Sequence, residues 1–119
     1  LDFHVANDGV VETSFPCSKV FQGYPAVLHG GVISTLLDGA MTNCLFARGY
    51  VAVTAELNVR FRHPVATDNP AIVRAWIISS TAPLHTLTAE LIQDGQVKAT
   101  AKGKFMERSA LVWFGKAAQ

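Results

Sequence analysis

From residue 51 to residue 62 the chain alternates without a break. Val51, Val53, Ala55, Leu57, Val59 and Phe61 stand on one phase; Ala52, Thr54, Glu56, Asn58, Arg60 and Arg62 stand on the other. A period of two held for twelve residues is the pattern of a β-strand with one face turned to a core. His63-Pro64 ends the run, and Asp68-Asn69-Pro70 marks a turn. Residues 71–80, 84–93 and 96–106 are three further strand candidates, the last two joined by Asp94-Gly95, a two-residue signal for a type I′ hairpin. Four strands in succession need a cover for their apolar side, and one segment of the chain has the period to supply it.

That segment is 31–48. Ile33, Leu36, Leu37, Ala40, Met41 and Cys44 fall at i, i+3, i+4 spacing and define a single buried helical stripe. Thr35, Thr42 and Asn43 lie off the stripe, and Gly49 is placed to cap the C-terminus. Before the helix, residues 5–15 read as one or two short strands about the turn Asn7-Asp8-Gly9, and residues 16–28 as a loop. The expected order is strand, helix, then four strands in meander, an α+β fold with one long helix against one antiparallel sheet. The apolar Leu111-Val112-Trp113-Phe114 is expected to cover a sheet edge or a subunit seam.

A chain of 119 residues is one domain at roughly 100–200 residues per domain. Its 50% hydrophobic and 16% charged content, against roughly 25% charged for an ordinary domain, excludes intrinsic disorder. So apolar a surface on so small a domain is expected to be buried against further copies of the chain. A net charge of +1 argues against a nucleic-acid partner, which demands many unbalanced cations. With no run of about 18 apolar residues and no charged-then-apolar opening segment, neither a membrane span nor a signal is expected. Cys17 and Cys44, without a CxxC spacing, read as reduced thiols of a cytoplasmic protein. His4, His63 and His85 share no metal-ligand spacing, so no metal or cofactor is expected.

Chemistry is concentrated at the mouth of the helix. In His29-Gly30-Gly31 the glycines let backbone approach a ligand, and a helix start leaves its first N–H donors unpaired. Such donors suit an anion or a carbonyl oxygen gaining charge; the alternative is a tight turn that uses glycine for conformation alone. Asp38 sits mid-helix, where aspartate is a poor helix former, in Leu36-Leu37-Asp38-Gly39-Ala40-Met41. It is either part of a solvated face or, given its apolar neighbours, an enclosed carboxylate suited to act as base or nucleophile.

Taken together these segments resemble the hotdog-fold acyl-CoA thioesterases of the PaaI-like group. The likeness rests on Phe21-Gln22-Gly23-Tyr24-Pro25-Ala26-Val27-Leu28-His29-Gly30-Gly31 with Leu36-Leu37-Asp38, and on Thr54-Ala55-Glu56-Leu57-Asn58-Val59-Arg60-Phe61 followed by Pro64. It implies a single hotdog domain with its core at about residues 5–106 and a short apolar C-terminal tail. It also implies hydrolysis of an acyl-CoA thioester, in a homodimer or a homotetramer built as a dimer of dimers, at sites shared between subunits. Gly30 matches the residue whose backbone N–H polarises the thioester carbonyl, with Gly31 beside it. Asp38 matches the catalytic carboxylate, general base or nucleophile. Thr54 matches a residue that holds the water or the carboxylate, and His29 one that orients the loop. Some relatives carry asparagine at the position of Gly23; Gln22 is the residue placed to supply a side-chain donor there. Arg60, Arg62 and Lys104 are candidates for the coenzyme A phosphates. A hotdog hydratase or dehydratase would pair a helix histidine with its acid, and a non-catalytic acyl-CoA-binding module would share the fold. Asp38 with no helix histidine favours hydrolysis.

Overall fold

A computed structural model describes residues 3–6 and 8–108. Its elements are β1 (His4–Val5), β2 (Val11–Phe15), α1 (Gly30–Phe46), β3 (Ala52–Phe61), β4 (Ala71–Thr81), β5 (Leu84–Gln93) and β6 (Gln96–Glu107). The strands form one sheet in the order β1-β2-β4-β5-β6-β3, each neighbouring pair antiparallel. One long helix lies on this sheet, the α+β arrangement expected.

Helix and sheet meet through the pattern that formed them. Ile33, Leu36, Leu37, Ala40, Met41 and Cys44 are all buried, joined by Leu45. Opposite them stand inward residues at every second position: Val73 and Ala75 on β4, Leu87, Ala89 and Leu91 on β5, Ala99, Ala101 and Phe105 on β6. Each large side chain so buried contributes about 1.5–3 kcal/mol. At Gly103 the approach is closest: a Cβ there would fall 2.6 Å from the Phe105 ring and 3.1 Å from the Met41 side chain. No residue with a side chain fits beneath Met41 without displacing it. Among the described residues no helix is long and apolar enough to cross a membrane.

Four expectations are corrected. The last four strands are not a meander, because β3 pairs with β6 at the far edge and β4 pairs with β2. The segment after β3, with Pro64 and Pro70, is therefore a crossing, and the turn expected at Asp68-Asn69-Pro70 lies within it, Asp68 standing at φ 60°. Nor does β3 bury one face: as an edge strand it leaves Val53, Leu57 and Phe61 exposed by 40%, 37% and 54%. The helix begins at Gly30 and ends at Phe46, with Ala47 as C-cap; Gly49 follows at φ 86°, where the chain turns left-handed towards β3. Finally, the loop before the helix contains a short 3-10 turn, Lys19–Phe21, capped by Ser18. The Asp94-Gly95 turn has φ values of 53° and 72°, as type I′ requires. Asn7 and the apolar segment 111–114 lie outside the described residues.

Candidate active site

His29 is the N-cap of α1, with extended backbone (φ −62°, ψ 134°). Its Nδ1 accepts the Gly31 N–H at 2.9 Å, so the ring proton of the neutral imidazole resides on Nε2. The ring lies so close that a Cβ at position 31 would sit 3.0 Å from it; glycine there makes room for the cap. The N–H groups of Val32 and Ile33 turn to the His29 carbonyl, at 3.1 and 3.2 Å. The expected pair of free donors is therefore one donor. Gly31 is engaged, and only Gly30, of the first four helical residues, keeps an N–H with no partner among the described residues.

Gly30 borders a groove of about 300 Å3 walled by Leu28, Ile33, Phe61 and Val65, with Arg62 and His63 also on its rim. A second groove, about 390 Å3, lies on the other flank of the helix start between Phe15, Phe21, Val32 and Leu36, bordered by His29 and Thr35. Both are apolar except at those rims.

The helix mouth is held from outside the helix. Leu28 N–H bonds to the Val65 carbonyl and His29 N–H to the Phe21 carbonyl, both at 2.8 Å. Val65 is positioned in turn by Gln93, which is 1% exposed. The Gln93 amide donates to the Ala66 and Asn69 carbonyls at 2.9 and 2.8 Å and accepts the Ala66 N–H at 2.9 Å. Sequence reasoning overlooked Gln93, although a polar residue ending the inward series His85, Leu87, Ala89, Leu91 was visible. Gln22 and Gly23 do lie beside the cap: a Cβ on Gly23 would be 3.5 Å from His29 Cα. The Gln22 oxygen, however, accepts the Ala26 N–H at 3.3 Å within its own loop.

Eight residues further along α1, Asp38 is half-buried and its carboxylate accepts a hydrogen bond from the Thr54 hydroxyl at 2.6 Å. Strict alternation would turn Thr54 away with Glu56, Asn58 and Arg60. The structure places it on the helix side, opposite buried Phe105, because β3 carries an irregularity between Thr54 and Glu56. Ala55 is the extra residue, and a bulge of this kind re-aims the side chains around it. Beside Asp38, Gly39 faces open space, with nothing within 4 Å of where a Cβ would be. Gly30 and Asp38 lie on one helix, about 12 Å apart at roughly 1.5 Å per residue. One carboxylate oriented by a hydroxyl and one N–H without a partner among the described residues, on a residue that borders an apolar groove, are the parts of an acyl-transfer site: a base or nucleophile, and an oxyanion donor.

The sequence profile of the thioesterase superfamily matches residues 26–100. Over 63 residues the chain is 35% identical to the acyl-coenzyme A thioesterase THEM4 of Bos taurus, a match covering 53% of this chain and 25% of that protein. The chain thus spans about a quarter of the length of the curated relative it matches. A solved thioesterase superfamily protein is 27% identical, with a TM-score of 0.83 over 87% of this chain and 54% of its own. The PaaI protein of the Escherichia coli phenylacetic acid degradation operon, 17% identical, shares the fold with a TM-score of 0.82 over 89% of this chain and 78% of its own.

Proposed function

Because the chain belongs to the thioesterase superfamily, we propose that it hydrolyses an acyl-CoA thioester to the free acid and coenzyme A. The observation that carries this reading is the Thr54 hydroxyl bound to the Asp38 carboxylate. A hydroxyl that donates to one oxygen orients the carboxyl group and leaves its other oxygen to accept a proton from water, or to attack. As general base, Asp38 takes a proton from water, and the hydroxide adds to the thioester carbon. The carbonyl oxygen gains charge and is met by the Gly30 N–H, whose place at a helix start adds the helix dipole. Collapse of the adduct breaks the carbon–sulfur bond, the acid forms, and the departing thiolate regains a proton. As nucleophile, Asp38 would form a mixed anhydride that water then cleaves. His29 holds the backbone of this mouth in place through Gly31 and takes no part in proton transfer.

Each site is shared between two subunits in this reading. A catalytic group acts within about 3–3.5 Å of the atom that it serves, and about 12 Å of helix separates Gly30 from Asp38 of one chain. Antiparallel helices about a two-fold axis would bring Gly30 of one copy beside Asp38 of the other, twice per dimer. The free edge of β3 with its exposed Val53, Leu57 and Phe61 supports a homodimer, and the apolar composition a dimer of dimers. Two measurements test the proposal. Release of free thiol should occur with at least one member of an aryl- and alkyl-CoA panel, and sedimentation should show no active monomer. A folded protein that releases no thiol overturns the activity; a stable active monomer overturns the shared site.

A further inference from the structure

A second set of reactive side chains meets on the same sheet, apart from Asp38. Ser80 on β4 stands opposite His85 on β5, and its oxygen is hydrogen-bonded to the His85 Nδ1. From the end of β6, the Glu107 carboxylate lies 3.7 Å from the His85 Nε2. The Tyr50 ring, from the segment between α1 and β3, packs on the imidazole with centroids 4.4 Å apart. The His85 side chain is wholly buried, whereas Ser80 is exposed. Phe105 stands opposite both Thr54 and His85, so two strand spacings, about 10 Å, separate His85 from the Thr54 that holds Asp38.

The register of β4 accounts for the Ser80 contact. Val73, Ala75 and Ile77 stand opposite Leu91, Ala89 and Leu87, all on the inward phase. Strict alternation would set Ser79, not Ser80, opposite His85. An irregularity between Ile77 and Ser79 makes Ile78 an extra residue, and a bulge of this kind re-aims the side chains around it.

A buried imidazole is costly unless its nitrogens are paired. Nδ1 is paired; Nε2 has no hydrogen-bond partner among the described residues. When the neutral ring accepts the Ser80 hydroxyl at Nδ1, its own proton is on Nε2, with Glu107 too distant for a hydrogen bond. That contact becomes an ion pair once the ring gains a second proton, and the Ser80 hydroxyl is placed to supply it. A nucleophile within reach of a base, with an acid behind the base, is the arrangement that activates serine. The two ring nitrogens here exchange their usual roles.

We propose that Ser80 is a second nucleophilic centre, which takes an acyl group from an activated ester or thioester; this goes beyond the Asp38 reading and does not rest on it. Ser80 Oγ bonds to the acyl carbon while its proton passes to His85 Nδ1, and the Glu107 carboxylate stabilises the imidazolium. The bond from the acyl carbon to the leaving oxygen or sulfur then breaks, and the leaving group takes the proton from Nδ1. Ser80 is left as an ester and the ring is neutral again.

The probe is p-nitrophenyl acetate, with peptide mass spectrometry to locate the acetyl group. Ser80 should be acetylated, and Ser14, which is also exposed, should not. Glu107→Gln keeps the shape of the side chain and removes its charge; it should slow acetylation of Ser80 about tenfold or more, since the acid of such a triad is worth more than that. His85→Gln, where circular dichroism shows it folded, should slow it about 10²-fold or more. Asp38→Ala should leave acetylation of Ser80 in place. An unmodified Ser80, equal labelling of Ser14, or an undiminished rate in Glu107→Gln overturns the proposal. Loss of Ser80 labelling in folded Asp38→Ala overturns it too, since the two centres would then be one.

Discussion

Thr54 and Asp38, on different elements and 16 residues apart in the chain, are joined by a hydrogen bond of 2.6 Å. Losing a base costs about 10²–10⁴-fold in rate, and losing a nucleophile costs more. Asp38→Ala is therefore expected to abolish nearly all thiol release while the protein stays folded. Thr54→Ala should cost about tenfold, since a hydrogen bond to a charged group is worth about 1.5–3 kcal/mol and water can replace part of it. Steady-state kinetics with circular dichroism on both variants check this; a larger loss for Thr54→Ala would reverse the two roles.

Gly30 permits an unusually clean removal of a backbone donor. It stands first in α1, where proline is well tolerated, and its φ is not positive. His29 before it is extended, as a residue preceding proline prefers, and a Cβ would meet the Phe61 ring at an ordinary 3.5 Å. Gly30→Pro should therefore fold and lose activity. Unfolded together with Asp38→Ala and refolded, it should recover roughly a quarter of native activity, because about half the dimers are mixed and each carries one intact site. Mixed dimers without activity would confine the site to one chain.

Much of this was legible in the sequence, for reasons that can be located. The helical stripe and the inward series on β4, β5 and β6 obey simple periods because both partners are buried there. The candidate residues His29, Gly30 and Asp38 were marked by being odd in their setting: glycines at a helix start, an acid among apolar neighbours. What the sequence hid was non-local. Neither the pairing of β3 with β6 nor the extra residue at Ala55 has a local signal. An unbroken alternation conceals a bulge, because both phases remain individually plausible as strand. The engagement of Gly31 by His29 likewise depends on a rotamer, which residue order does not encode.

Gln93 supports a prediction about stability. Replacing it with Leu keeps the bulk but leaves the Ala66 N–H and the Ala66 and Asn69 carbonyls without their side-chain partner. A lost partner for a buried polar group costs about 1–3 kcal/mol, and part of this loop can turn to water, so about 2 kcal/mol is expected. Urea unfolding measures the loss. Turnover should fall as well, since the Ala66 region holds Val65, and Val65 holds Leu28 next to the cap.

Cys17 and Cys44 are both buried, free thiols. Burial raises each above the ordinary thiol value of 9.0; a hydrogen bond involving the Ala71 backbone opposes this at Cys17, and the Arg48 charge opposes it at Cys44. The unfolded chain thus gives up these protons at lower pH than the folded one. Their contribution to stability is fully present below about pH 9 and declines as pH rises above it. Folded protein at neutral pH should resist thiol reagents at both positions, react at both in denaturant, and show a falling unfolding midpoint on the alkaline side. Cys17→Ser/Cys44→Ser should flatten that alkaline decline.

Gly39 has a cost that no packing contact among the described residues offsets. A glycine inside a helix weakens it by roughly 0.5–1 kcal/mol relative to alanine, and here no neighbour would obstruct the methyl group. The vacancy is therefore not imposed by packing. It leaves the peptide backbone of α1 bare at the position next to Asp38. At this one position robustness and access oppose each other: a single methyl group would make the helix sturdier and the approach narrower.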